Sequence, residues 1–333
     1  MLKILINCPG GWSHGLDSPE RGEGRWAQNL TRCLAKSKQY GISACSGGIP
    51  TWGRGDIIEN VALLSEQEAE RRGPYDMYFD AAWYHNKRPA AEARANFHVH
   101  FGYEPRLGVP FPKDHYLVYV LRKSGANYVG EGRGNADRTF YLPAPFAERM
   151  IAPDCSALGL VNTLRGTEAP GRAERFDAVY QAVTRLRARG LAIPFTWIAS
   201  AGAPTKRHQQ DRVLVPDAAW GIPYNEIRSI LRGCGLNTAL DGWSNILDCT
   251  VLGVPSLAWI GGADSTPAEI ARDLDLLLES DSSPERVADV VEQILLDPVR
   301  RSTYIRALQK GFDDHIEEIT LSYFHQIVTR VFA

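Results

Sequence analysis

The stretch Asp241-Gly242-Trp243-Ser244-Asn245-Ile246-Leu247-Asp248, continuing to Gly253-Val254-Pro255, holds the residue types best suited to ligand chemistry. An apolar run ends near Leu240, small residues follow, and a helical pattern opens around Ser244 or Asn245. The first N–H groups of a helix have no partner within it, and the positive end of the helix dipole lies there. Such a start favours a phosphate. Asp248 falls one turn inside, where it can accept hydrogen bonds from a ribose diol. Asp241 falls at the C-terminal edge of a strand, where open α/β sheets bind ligands. The same spacing also suits an ordinary strand–turn–helix capped by Ser or Asn.

A second group is His98-Val99-His100. Side chains alternate along a strand, so both imidazoles face one side. Two imidazoles alone do not hold a metal, and no His/Cys cluster near them in the sequence supplies a third ligand, so no metal site is expected. There is no Walker A sequence, and Gly130-Glu131-Gly132-Arg133-Gly134 lacks the strand–helix context of a dinucleotide fingerprint.

These groups must be positioned by alternating strands and helices, the pattern of an α/β fold with largely parallel sheets. In the first half, strands are expected at 2–7, 75–79, 97–101 and 116–121. A helix is expected over 25–37, with Trp26, Leu30, Cys33 and Leu34 at helical spacing. The second half restarts the rhythm, with strands at 157–162, 195–199, 236–240 and 256–260. Helices are expected at 173–189, 223–232, 245–252, 283–296, 300–310 and about 316–331. The pattern reads as two Rossmann-like lobes, divided between Pro143 and Asp154.

Length and composition agree with this layout. The chain has 333 residues, 44% hydrophobic and 23% charged, which suits two soluble domains and excludes disordered, collagenous and coiled-coil classes. No apolar stretch of about 20 residues marks a membrane span, and the N-terminal apolar run is too short for a signal-peptide core. Cysteines 8, 33, 45, 155, 234 and 249 lie far apart with no Cys-x-x-Cys pair, so reduced thiols and a cytoplasmic location are expected. The net charge of −2 hides an asymmetry: residues 1–150 carry +3 and 19 aromatics, residues 151–333 carry −5 and 13. A surplus of +3 is too small to favour nucleic acid by itself.

The segment from Asp241 resembles the donor-binding signature of GT-B glycosyltransferases, especially glycosyltransferase family four. That signature runs Glu-Gly-Phe-Gly-Leu-Pro-x-x-Glu-Ala, then small residues and Gly-Val-Pro. Asp241-Gly242-Trp243-Ser244 is similar to its opening and Asp248 to its second Glu, although the two acids lie seven apart here rather than eight, and both are Asp. Leu160-Val161-Asn162-Thr163-Leu164-Arg165 resembles the family's strand ending in Gly-Arg-Leu, and Arg172, or alternatively Arg175, stands for its diphosphate-binding Lys. Ile222-Pro223-Tyr224-Asn225-Glu226-Ile227 resembles the loop and helix that meet the nucleobase. Gly22-Glu23-Gly24 resembles the glycine loop after the first strand, which approaches donor phosphates and acceptor.

The resemblance implies two lobes facing across a cleft: 1–150 on the acceptor side, 151–312 binding the nucleotide sugar, and a helix at 313–333 crossing back to the first lobe. It implies transfer of a sugar from a nucleoside-diphosphate sugar to an acceptor hydroxyl, retaining and independent of metal or other cofactor. Arg165, Arg172 and the amides of Ser244, Asn245 and Ile246 would stabilise the diphosphate. Asp248 would hold the ribose, Asp241 the sugar hydroxyls, and His100 the sugar near its anomeric carbon. Plainer readings remain beside these: a solvated helix-flank charge for Arg172, a structural histidine at position 100, a simple loop at Gly22 and Gly24. The partners expected are a nucleotide sugar and an unidentified acceptor, carbohydrate, small molecule or modified DNA base. The alternatives are a two-lobed binding protein without chemistry and a nucleotide-sugar epimerase on the same fold.

Overall fold

A parallel strand has helices on both of its faces, so it reads as a continuous apolar run. Ile4, Leu5 and Ile6 are all fully buried for this reason. The structure is a computed structural model that describes residues 1–8, 22–46, 60–81, 90–100, 114–121, 136–146, 149–162, 172–198, 211–214, 224–238, 243–260, 265–279 and 281–333. The contacts divide it into two units, Met1–Glu148 with Asp314–Ala333, and Arg149–Asp313.

The first unit holds β1 (Leu2–Cys8), α1 (Gly22–Ser37), β2 (Tyr40–Ser46), β3 (Val61–Leu64), α2 (Glu66–Arg72), β4 (Tyr75–Asp80), β5 (Ala93–His100), β6 (Tyr116–Tyr119) and β7 (Thr139–Tyr141). All pair in parallel, in the order β3-β2-β1-β4-β5-β6-β7. This is the doubly wound order of a Rossmann-type sheet. One face carries an aromatic core, with Phe79 stacked on Phe97 at 4.6 Å and Phe97 on Tyr116 at 5.0 Å. The C-terminal helix, numbered α9 (Glu317–Phe332), closes that face by setting Phe324 against Tyr40 at 5.1 Å and Phe79 at 5.8 Å. Lys36 of α1 donates to the Glu317 carboxylate at 2.8 Å, and Thr320 to the Pro143 carbonyl at 3.2 Å. The opposite face is covered by α2, which begins with a capping box. The Ser65 hydroxyl accepts from the Glu68 N–H, and the Glu68 carboxylate accepts from the Ser65 N–H at 2.9 Å.

The second unit repeats the plan with β8 (Leu160–Asn162), α3 (Arg172–Ala188), β9 (Phe195–Ile198), β10 (Asp211–Leu214), α4 (Tyr224–Arg232), β11 (Leu236–Asn237) and α5 (Trp243–Val251). Its sheet runs β10-β9-β8-β11. A parallel bridge from Asn237 to Ser256 leads on to β12 (Ala258–Trp259), which pairs with β13 (Leu277–Leu278) after α6 (Ser265–Asp273). Then follow α7 (Pro284–Leu296) and α8 (Pro298–Gly311), capped by Ser283 and Asp297 with proline at the first helical turn of each. Gly253 has φ of +72°, and a Cβ there would lie 2.9 Å from Pro153 Cα, so this turn requires glycine.

The segment that enters the second unit is gripped by α8. Arg301 is fully buried and donates to the carbonyls of Asp154 at 2.9 Å, Cys155 at 3.3 Å and Ala157 at 2.7 Å. Gln309 donates to the Ile151 carbonyl at 2.8 Å. Among the described residues, no helix is long and apolar enough to cross a membrane.

Three charge-assisted bonds from one buried side chain make Arg301 a main anchor of this unit. Arg301→Ala is expected to lower unfolding stability in urea by about 3 kcal/mol or more, because it removes three charge-assisted hydrogen bonds together with the packing of a fully buried side chain. A loss below about 1 kcal/mol would show that the segment is held by something else.

Candidate functional sites at the sheet switch points

In an open parallel sheet, a crevice forms outside the strand C-termini where the strand order reverses. In the second unit that point lies between β8 and β11. The chain leaving β8 carries Arg165 and Arg172, and the chain leaving β11 carries Asp241 and the Ser244–Asp248 segment. The helices that open at Arg172 and at Trp243 therefore follow neighbouring strands of the sheet. Arg165 and Asp241 lie outside the described residues. Thr238 closes β11 against β8, its N–H and its hydroxyl both donating to the Val161 carbonyl, at 2.8 and 3.1 Å.

Helix α5 begins at Trp243, two residues before the expected Asn245, so Ser244 is in its first turn. Asn245 and Ile246 are half-buried there. Asp248 is only 2% exposed, between Leu247 and Cys249, both fully buried. Its side chain is held inside the unit, in the second turn of α5 as the spacing places it. Arg172 opens α3 and Tyr224 opens α4, but their side chains, like that of Ser244, lie outside the described residues.

Arg175, in the first turns of α3, places its guanidinium 5.8 Å from the ring centre of Trp259 at the end of β12. Its Nε is buried without a hydrogen-bond partner, as is the indole N–H of Trp259. Among the described residues it forms no ion pair. A cation held over an aromatic face, with no carboxylate against it, retains its capacity for an anion.

In the first unit the order reverses between β1 and β4. A single register row, Cys45 of β2, Asn7 of β1, Asp80 of β4 and His98 of β5, crosses the sheet near its C-terminal edge. The Cys45 thiol lies 3.5 Å from Asn7 Oδ1, and Asn7 Nδ2 donates to Asp80 Oδ1 at 3.1 Å. Asp80 Oδ2 lies 4.0 Å from His98 Nδ1. His98 Nε2 meets His115 Nδ1 at 2.5 Å with the rings stacked. Asn7, Asp80 and His98 are each 2% exposed or less, an uncommon concentration of buried polar groups in a sheet interior.

His100 sits two residues beyond His98, at the end of β5 and on the same face of the sheet. Burial pushes its pKa down to about 4, so the ring is neutral at pH 7. Gly22 and Gly24 are not in a loop. Helix α1 starts at Gly22, three residues before the expected start, and Gly24 is buried in its first turn. The apolar spacing that marks this helix begins only at Trp26, so the pattern by itself sets the helix start too late. The partner for His98 that local sequence lacked is His115. It arrives from the approach to β6, and only the parallel pairing of β5 with β6 reveals it. Among the described residues, no three His, Cys, Asp or Glu side chains converge as metal ligands.

No family model matches this chain, and no curated protein matches it by sequence. Solved structures do. WaaG, a glycosyltransferase of lipopolysaccharide biosynthesis, superposes with a TM-score of 0.62 over 97% of this chain and 98% of its own, at 12% identity. A glycosyltransferase from Rickettsia africae gives 0.62 over 99% and 98%, at 11% identity. The S. aureus MnaA–UDP co-structure gives 0.61 over 99% and 98%, also at 11% identity. The chain thus has the two-unit α/β fold of the GT-B glycosyltransferases. At these identities the likeness is one of fold.

The His100 shift has a consequence for stability. Its folded-state pKa lies below the unfolded value of 6.5, so the unfolded chain binds the extra proton between those values. The stabilisation is complete above pH 6.5 and is lost as pH falls toward 4, amounting to roughly 3 kcal/mol. His100→Gln is expected to reduce the loss of urea stability between pH 7 and pH 4.5 by about 2 kcal/mol. An identical pH dependence in the variant would refute the assignment.

Proposed function

We propose that the chain is a glycosyltransferase that moves a sugar from a nucleoside-diphosphate sugar to an acceptor hydroxyl, with retention and without a metal. The observation that carries this reading is the switch point of the second unit. The starts of α3 and α5 follow neighbouring strands, and Arg175 lies close by with no ion pair among the described residues. The resemblance of the segment from Asp241 to the family-four signature and the GT-B fold support the same reading.

In this reading the diphosphate is the leaving group. Arg165, Arg172 or Arg175, and the amides of Ser244, Asn245 and Ile246, stabilise the charge it gains as the sugar–oxygen bond breaks. Asp248 takes the ribose, Asp241 the sugar hydroxyls, Tyr224 lies by the nucleobase, and Gly22 and Gly24 lie at the phosphate and acceptor end. Neutral His100 is suited to hydrogen bonding with an uncharged sugar, donating from one ring nitrogen and accepting at the other. The acceptor is a glycan, a small hydroxylated molecule or a modified DNA base.

The test is incubation with UDP, GDP, ADP and TDP sugars, with and without extracted acceptors. Acceptor-dependent release of nucleoside diphosphate is the expected result. Tight binding without turnover would sink transfer, and an altered sugar still on its nucleotide would identify an epimerase. Arg175→Ala is expected to weaken nucleoside-diphosphate affinity about ten- to a hundredfold in calorimetry, the worth of one charge-assisted hydrogen bond. Unchanged affinity would remove Arg175 from the site.

A further inference from the structure

The buried row of the first unit does more than fill the sheet interior. We propose that Asp80, His98 and His115 form a proton line, carrying a proton from the carboxylate at the β1–β4 switch point to solvent. The observation is the juxtaposition of one buried carboxylate, one buried imidazole and one half-buried imidazole in sequence. Asp80 Oδ2 stands 4.0 Å from His98 Nδ1, and His98 Nε2 stands 2.5 Å from His115 Nδ1. The side chains of Asp80 and His98 are each 2% exposed, and that of His115 is 21% exposed.

The facing nitrogens at 2.5 Å dictate the proton count. Two N–H groups cannot point at each other at that separation, and two bare lone pairs would repel, so one proton lies between them. With that proton on His98, His98 Nδ1 is a bare acceptor facing Asp80, and His115 carries its own proton on Nε2. Once the Asp80 carboxylate has taken up a proton, its transfer from Oδ2 to His98 Nδ1 returns Asp80 to the anion and displaces the shared proton onto His115 Nδ1, and the Nε2 proton of His115 leaves to water. One N–H bond forms and one breaks on each ring, and the charge on each ring is unchanged at the end. The carboxylate needs an approach of about 1 Å to make the first bond, within the range of side-chain motion.

The titratable groups facing the line are Asp80 from β4, Asp114 at 4.0 Å from His115 Nε2, and His100 from β5 itself. Cys45 lies beyond Asn7, and Tyr119 pairs with His100 in register. Asn7 holds Asp80 by its other oxygen, leaving Oδ2 turned to the imidazole. Asp114 gives a proton leaving His115 a nearby acceptor.

The use of the line rests on the transferase reading, though its existence does not. In sugar transfer the acceptor O–H bond breaks as its oxygen bonds to the anomeric carbon, and the diphosphate departs with the electron pair of the broken C–O bond. One proton remains to be cleared, and the line offers it a way out through the sheet.

The experiment is long-range proton–nitrogen NMR on the full chain with nitrogen-15 histidine, from pH 4.5 to pH 9. The proton line requires His98 and His115 to titrate together as a coupled pair, with a strongly downfield shared proton. His115→Gln should abolish that proton and leave His98 titrating alone. Independent titration of the two rings, or a His98 signal untouched by His115→Gln, would overturn the proposal. In the activity arm, His115→Ala should slow acceptor-dependent nucleotide release about tenfold or more and shift its pH profile, and added imidazole should restore it. An unaltered rate and pH profile would overturn the role in turnover. Coupled titration in a protein that transfers no sugar would instead leave the line standing and reject the transferase reading.

Discussion

Everything in this molecule follows from the requirement that a parallel sheet be buried on both sides. Parallel neighbours can be joined only by crossovers that return the chain to the starting edge, so every strand ends on the same side. Where the order reverses, two crossovers part and leave a crevice lined by strand ends and helix starts. The first unit reverses at β1 and β4 and the second at β8 and β11. Residues far apart in sequence are therefore sorted into two places by connectivity alone, before any side chain is chosen.

The two places are furnished differently. At the first, polar side chains satisfy one another in a buried row, so the sheet interior carries dipoles whose orientation depends on proton positions. Burying such groups is tolerable because Asn7 pairs with Asp80 Oδ1 and His98 with His115, while Asp80 Oδ2 and His98 Nδ1 face each other at 4.0 Å. At the second, Thr238 ties the strands through one main-chain carbonyl, that of Val161, and the cation of Arg175 is set against an indole. A row of linked polar groups suits rearrangement of protons; a cation set on an indole suits capture of an anion.

The alternation of strands and helices was legible in sequence because buried strands such as Leu2–Cys8 and amphipathic helices such as α1 differ in period. Short elements were not. The strand Tyr40–Ser46 mixes Gly, Ser and Cys with its apolar residues, and its identity depends on register with β1. Helix α2 did carry a local signal, the Ser65–Glu68 capping box, which periodicity over so few residues does not register. The chemistry of His98 was half legible: alternation placed it with His100, but Asp80 comes from a neighbouring strand and His115 from the approach to another, and register across a sheet is not written locally. Asp248 was read as one turn into a helix, which it is; its burial depends on the packing around α5 and could not be read from spacing.

The place of α9 bears on how the molecule is made. The first sheet keeps its aromatic face, Tyr40 and Phe79, unroofed until Phe324 is in place, and the whole of the second unit lies between them in the chain. A ribosome delivers the chain from its N-terminus, so the second unit can fold while the first still waits for its last helix. During that interval the nascent chain displays a sticky aromatic surface of the kind that chaperones recognise and that misassembly exploits. The order of synthesis and the order of completion are thus opposed: the first sheet is made before the second unit and sealed after it.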